Sequence, residues 1–346
     1  MTKRTRLLLP AAAALSLAAL ALTACASPAA SGEVPDQSDT AATVVVENAK
    51  PTLTLVEDDG ESSYQEDLEV ARESVEVAAN PTAVITFDIA TLDTLDAIGA
   101  GDAVVGIPDA VLPGYLSEYA GLPKVGTLFE PDFEAVAELE PDLIVTAARS
   151  TGQYDELSEI ATTIDLTGAY AGKFDPSAGL ERAAQLGEIF GKEDEVAALA
   201  AGIDELVSTI GSEAEGTALV LAVSGGEYGA FGEGSRFGYF FDELGWAPAV
   251  AAAELPGAEG SSHGDTVTNE FILAANPDWI FVFDRGAAVG EGSSAEETLG
   301  NELVAQTTAA QDDHIVYLPA GELYIVVNGL TAIENVLTSV HDAIAG

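Results

Sequence analysis

Hydrophobic and polar positions along this chain follow two periods. Seven short apolar runs are too unbroken for half-exposed strands: Ala83–Phe87, Val104–Ile107, Leu143–Thr146, Thr163–Leu166, Thr217–Val223, Trp279–Phe283 and His314–Leu318. They predict strands, and Ala83–Phe87, Leu143–Thr146 and Trp279–Phe283 among them predict burial, the last two on both faces. Between them, apolar residues recur at helical spacing in Ile89–Ile98, Tyr115–Ala120, Tyr154–Ala161, residues 176–211, Tyr239–Leu244, Ala295–Val304 and Leu330–Ile344. Strands alternating with helices predict an α/β protein with parallel sheets. Thr52–Val56 and Leu68–Val77 flank the acidic turn Glu57–Glu61 and predict a small β arm ahead of this pattern. Pro176 suits a helix start and Gly191 a helix stop. The stretch Glu193–Ile210, with Val196, Leu199, Ile203, Leu206 and Ile210 on one face, predicts a helix of roughly 27 Å. Such a helix either bridges two lobes or packs inside one.

Two stretches share a register. Glu134 to Arg149 and Glu270 to Arg285 each carry a Glu at a helix start, a Pro-Asp break (Pro141-Asp142, Pro277-Asp278), an apolar strand and a closing Arg, all at one common offset. Proline cannot continue a helix and biases its predecessor away from the helical region. Ligands of open α/β sheets bind beyond the carboxyl ends of strands. The repeat therefore predicts two α/β lobes, each aiming one guanidinium at a shared cleft. Unrelated units with surface arginines are the alternative for either stretch alone.

The N-terminus is different in kind. Lys3, Arg4 and Arg6 precede an almost wholly apolar run, Leu7 to Leu22, which ends at Leu22-Thr-Ala-Cys25. This is a secretory signal, too short to span a membrane stably. Its ending resembles the bacterial lipobox, which implies cleavage before Cys25 and lipidation of that thiol. Cys25 is the only cysteine, so neither an intramolecular disulfide nor a thiolate metal site is available. The expected organisation is a signal peptide at 1–24, a flexible tether at 25–50, an N-terminal lobe at 51–190, a connecting helix at 191–213 and a C-terminal lobe at 214–346. At 346 residues, about two folded domains fit the length.

Charge narrows the function. With 58 acidic and 12 basic residues, the formal net charge is −46. Such a surface repels nucleic acid and anionic lipid. Scarce bases become informative. Arg72, Arg182 and Lys192 sit in helical or polar context, whereas Arg149, Arg236 and Arg285 follow apolar runs or lie between glycines. Guanidinium groups are permanently charged forks suited to oxyanions. Three in one pocket call for a multiply charged anion, and a ferric complex of catecholates or carboxylates is such an anion. The sequence holds no H-E-x-x-H or C-x-x-C and no G-x-S-x-G elbow between a strand and a helix, and its Gly-rich stretch 225–238 lacks phosphate-loop spacing, so no enzyme is expected. His263 and Tyr324 carry donor types competent for ferric iron. Each also has a plainer reading, His263 as a capping or hydrogen-bonding loop residue and Tyr324 as a half-buried aromatic.

Taken together, these features resemble the substrate-binding lipoproteins of iron–siderophore ABC importers, nearest to the catecholate (petrobactin- and enterobactin-type) binders. The resemblance runs from about Asn80 to the C-terminus. It rests on Gly234-Ser-Arg-Phe-Gly238, His263-Gly264, Asn276 to Gly286 and Asn301-Glu-Leu-Val304. It implies the fold of class III periplasmic binding proteins, two α/β lobes joined by a long helix with the ligand cleft between them. It implies that Arg149, Arg236 and Arg285 face an anionic ferric siderophore. His263 and Tyr324 would then be able to ligate iron directly when the siderophore is tetradentate. Glu134 and Glu270 would dock the permease of an importer driven by its ATPase. No intrinsic cofactor is implied, since iron arrives within the ligand. The expected state is a monomer, lipid-anchored on the extracytoplasmic face of the cell membrane. The same scaffold could instead hold haem or another metal complex, or serve as a surface-anchored module outside transport. Trp246 and Trp279 are expected near the cleft.

Overall fold

A computed structural model describes residues 42–58, 61–167, 172–257, 263–291 and 294–346. The expected signal peptide, Cys25 and residues up to 41 of the expected tether lie outside the described residues. From Thr43 the chain is already a strand. β1 (Thr43–Asp58) pairs antiparallel with β2 (Glu61–Ala78). The arm is thus far longer than the apolar runs predicted, and its base belongs to the body: Val46, Asn48 and Val77 are buried. Asn48 accepts from Asp165 N at 2.8 Å and donates to the Tyr154 hydroxyl at 2.6 Å. A buried amide satisfied at both ends cannot be part of a free tether.

The first lobe follows as β3 (Val84–Thr86), α1 (Ile89–Ala97), β4 (Val104–Gly106), α2 (Phe133–Glu138), β5 (Leu143–Thr146), α3 (Tyr154–Ser158), β6 (Thr163–Asp165) and α4 (Pro176–Phe190). Its four strands are all parallel, in the order β4-β3-β5-β6. Every residue of β3, β5 and β6 is buried, as unbroken apolar runs require. Asp175 caps α4, Pro176 is its first residue, and Gly191 ends it at φ 60°. Next comes α5 (Glu193–Glu213), 21 residues and so about 31 Å long.

The second lobe contains β7 (Thr217–Ser224), β8 (Glu227–Phe231), α6 (Tyr239–Asp242), β9 (Ala247–Pro248), β10 (Asp265–Val267), α7 (Asn269–Ala275), β11 (Trp279–Asp284), α8 (Arg285–Ala288), α9 (Ala295–Leu299), α10 (Thr308–Gln311), β12 (Ile315–Tyr317) and α11 (Leu330–Ala345). Its sheet runs β10-β8-β7-β11-β12, with β7, β11 and β12 parallel and β8 antiparallel to both its neighbours. The Gly-rich stretch therefore hides a hairpin strand, β8. Residues 285–288 form a short helix directly after β11. Gly300 stops α9 earlier than expected. The terminal helix α11 packs against α5 and also against α1 and α4 of the first lobe. Among the described residues no helix is long and apolar enough to cross a membrane.

The repeated Pro-Asp pairs do the same structural work in both lobes. Asp142 accepts from Thr82 N at 2.8 Å and Ala83 N at 3.0 Å, and its own N–H donates to Ala83 O. Asp278 accepts from Thr217 N and Thr217 Oγ1, both at 2.8 Å, and donates to Thr217 O. Each carboxylate clamps the start of the neighbouring strand. The residue before each proline is left-handed, Glu140 at φ 47° and Asn276 at φ 41°. Sequence reasoning found the helix break but not the clamp.

Candidate functional site

The three arginines leave three different backbones and meet at one tyrosine. β5 ends at Thr146, and Ala148 takes φ 45° before Arg149 opens a short 3₁₀ helix, Ala148–Gln153. That left-handed alanine is held by its N–H donating to Thr167 Oγ1 at 2.7 Å and by Ser150 Oγ accepting from Ala147 N. Arg236 lies in the tight turn between β8 and α6, where Phe174 N donates to its carbonyl at 3.0 Å. Arg285 is the first residue of α8, whose cap, Asp284, accepts from Ala287 N at 2.8 Å.

Tyr324, 8% exposed, occupies a single π-helical turn, Glu322–Val326. Its carbonyl accepts from Arg149 at 2.8 Å and from Arg236 at 3.2 Å, and Ile325 O accepts a second Arg149 bond at 3.2 Å. The Arg236 guanidinium lies 4.5 Å from the Tyr324 ring centre and that of Arg285 5.5 Å. Arg285 Nε donates to the phenol oxygen at 3.0 Å and its terminal nitrogen to Ser224 Oγ at 3.4 Å. First-lobe Arg149 thus reaches across to second-lobe backbone. Arg236 Nε is buried with no acceptor.

The electrostatics follow from this geometry. Burial pushes the Arg236 pKa down to about 10, with the charges of Arg149 and Arg285 adding to the effect. Burial also lowers Arg149. For Tyr324, burial opposes ionisation, but the Arg285 hydrogen bond and the three guanidinium charges outweigh it and draw the phenol below its ordinary pKa. Among the described residues these guanidinium groups donate to carbonyls and hydroxyls and lie over aromatic rings, with no carboxylate among their hydrogen-bond partners. The arrangement can accept a multiply charged anion by exchanging neutral acceptors for ligand oxygens.

His263 is placed differently. It precedes β10, with its carbonyl beside Gly229 of β8, and the contacts that tie the arginines to Tyr324 do not include it. Glu134 and Glu270 are both exposed, each the second residue of its helix, behind the caps Asp132 and Thr268. Trp279 is not near the site. Trp279 starts β11, whose other end carries Arg285, so six residues of strand, about 20 Å, separate them. Trp279 stacks on His314 at 3.8 Å and Trp246 packs on Phe281 at 4.7 Å. The sequence already set Trp279 at the opposite end of its predicted strand from Arg285, and the expectation of nearness overlooked the strand's length. Among the described residues no three His, Cys, Asp or Glu side chains are disposed to hold a metal ion. The π turn and its neighbours were missed too, because nothing in Glu322-Leu-Tyr-Ile-Val326 departs from an ordinary apolar segment.

Known proteins share this architecture. Petrobactin-binding protein YclQ of Bacillus subtilis is 38% identical over 281 residues, covering 79% of this chain and 86% of its own. Its crystal structure matches with a TM-score of 0.71, covering 86% of this chain and 99% of that one. The ferric-anguibactin-binding protein FatB of Vibrio anguillarum is 31% identical over 76% of this chain and 83% of its own. The periplasmic catecholate-siderophore binding protein VctP of Vibrio cholerae superposes with a TM-score of 0.70 at 31% identity, covering 78% of this chain and 96% of that one. The family profile described as periplasmic binding protein matches residues 84–321. With two α/β lobes, a joining helix and a cationic cluster between strand ends, the chain belongs to the periplasmic binding protein family.

Proposed function

We propose that this protein is the substrate-binding component of an ABC importer and captures an anionic ferric siderophore of catecholate or mixed catecholate/carboxylate type. The observation that carries the reading is the convergence of Arg149, Arg236 and Arg285 on Tyr324, with neutral groups as their acceptors. Related proteins named for petrobactin, anguibactin and catecholate siderophores support the ligand class. Binding, not catalysis, is the activity, and ferric iron travels within the ligand. Tyr324, whose phenol is eased towards ionisation, is the stronger candidate for a direct bond to iron in a tetradentate complex, and His263 is the second.

The wider assignment follows the same reading. Lipidated Cys25 anchors the protein on the extracytoplasmic face, and Glu134 and Glu270, one per lobe, dock the permease. The lobes extend over 51–190 and 214–346 with 191–213 between them, and the base of the arm joins the first. The test is isothermal titration of residues 26–346 with a ferric tris-catecholate, a ferric trihydroxamate and haem. Saturable binding of the catecholate alone, lost in Arg236→Ala and Arg285→Ala, is the expected result. Equal indifference to all three overturns the ligand assignment. Calorimetry is preferred to tryptophan quenching, because Trp279 lies at the far end of β11 from Arg285.

A further inference from the structure

Between Tyr324 and the terminal helix the backbone makes a turn that valine resists. Val327 has φ 68° and ψ −74°, and Asn328 N donates to Val326 O at 2.9 Å. This is a γ-turn of the rarer, positive-φ hand, strained even without a β-branched side chain. Strained conformations of this kind cost on the order of 1–3 kcal/mol and persist only where surrounding contacts over-determine them.

Val327 N donates to Glu322 O at 2.7 Å, and the side chain that ties the turn to the rest of the fold is the next residue's. Asn328, 4% exposed, accepts from Asp175 N at 2.9 Å and donates to Lys173 O at 2.7 Å. Its amide therefore pairs with the segment 173–175 as a neighbouring strand would. The residue between those two partners, Phe174, donates its N–H to Arg236 O at 3.0 Å, and Lys173 Nζ donates to Gly234 O at 3.2 Å. Arg236 in turn donates to Tyr324 O and lies against its ring. The contacts close a ring: Asn328 to 173–175, then to the Arg236 turn, then to Tyr324, then through the strained turn back to Asn328. On the far side, Asp93 accepts from Thr331 N and Ala332 N and fixes the chain where it leaves the ring.

We infer that Asn328 is a positioning residue for the ligand site: through residues 173–175 it sets Arg236 against Tyr324 and holds the strained turn whose carbonyls receive Arg149 and Arg236. The inference rests on the siderophore reading for its ligand, but its geometry does not. Alanine at 328 removes both amide bonds and leaves Lys173 O and Asp175 N without partners. Aspartate keeps the acceptor but places a charge against Lys173 O.

The test uses Asn328→Ala, Arg236→Ala and the double variant. Affinity for a ferric tris-catecholate is measured by titration calorimetry and thermal midpoints are measured in parallel. Asn328→Ala is expected to weaken binding about tenfold in the wild-type background and less than twofold in Arg236→Ala, since it acts through that arginine. Its effect on the thermal midpoint should be the same in both backgrounds. An unchanged affinity, or a loss that adds in full to that of Arg236→Ala, overturns the inference. A second readout needs no ligand. Amide hydrogen exchange at residues 234–238 and 322–327 should quicken together in Asn328→Ala, because the Arg236 turn and the turn after Tyr324 lose their common tie. If the wild type ignores the catecholate, the siderophore reading falls and this exchange decides alone. Unchanged exchange at 234–238 then overturns the positioning role.

Discussion

Arg149 of the first lobe donates its guanidinium to the backbone carbonyl of Tyr324 in the second, at 2.8 Å. A charge desolvated against neutral acceptors is costly to stability and useful to a charged ligand. Arg149→Met is therefore expected to leave the unliganded fold as stable or slightly more stable, and to weaken ferric tris-catecholate binding by about 100-fold. Arg149→Lys keeps charge but loses the fork that spans the Tyr324 and Ile325 carbonyls, so it should recover only part of the affinity. Paired thermal melts and calorimetric titrations check both. A large loss of stability in Arg149→Met would sink the idea.

Asp93 gives a pH dependence with a definite sign. The carboxyl is fully buried, caps α11 and accepts from the Tyr115 hydroxyl. Burial raises its pKa from 3.8 to about 7, against the opposing hydrogen bonds. Between those values the folded protein keeps a proton that the unfolded chain has lost. Asp93 thus favours folding fully below pH 4, and its contribution falls by a few kcal/mol as pH rises to about 7. In Asp93→Asn this decline should vanish: relative to the variant, the wild type loses stability from pH 5 to 7 and then levels off. Parallel profiles of the two would contradict the assignment.

The left-handed residues before the two prolines are not equally suited to their places. Asparagine tolerates that region and glutamate does not. Glu140 is exposed and loses no packing on replacement. Glu140→Gly should stabilise by about 0.5–1 kcal/mol. Denaturant midpoints read the effect, and a destabilised variant would show that the strain is not there.

The two aspartate clamps should differ in weight. The Asp278 bonds to Thr217 are partly buried, whereas those of Asp142 to Thr82 and Ala83 are exposed. Asp278→Ala is expected to cost about 1–3 kcal/mol and Asp142→Ala less. Gly216→Ala should behave like the former. Gly216 has φ 82°, and a Cβ there would meet Asp278 Oδ2 at 2.8 Å. Unfolding measurements on all three rank them.

Much of this site is legible from the sequence because it is built on repetition. The Glu, Pro-Asp and Arg of each lobe recur at one offset, and the strands between them are unbroken apolar runs whose ends locate Arg149 and Arg285. Arg236 is readable only because basic residues are scarce. The parts that escape are tertiary. The γ-turn at Val327 depends on an amide answered from residues 173–175, far away in sequence. β8 is concealed among glycines because its pairing with β7 and β10, not its own composition, makes it a strand. Trp279 was expected near the cleft although its own strand carries it to the end away from Arg285. Periodicity reports which face is buried, and the reach of a strand has to be counted separately.

The tie between Asp93 and α11 has a consequence for biogenesis. Residues 93 and 331 are 238 positions apart, so the buried carboxylate near the beginning of the first lobe waits for the last helix of the chain before it finds its partners. A nascent polypeptide lacking its final turns leaves that acid without the amides that satisfy it, in a segment otherwise ready to collapse. Non-local closure of this kind slows consolidation. On the export proposed above, that delay is useful: a chain not yet closed by Asp93 stays threadable during translocation.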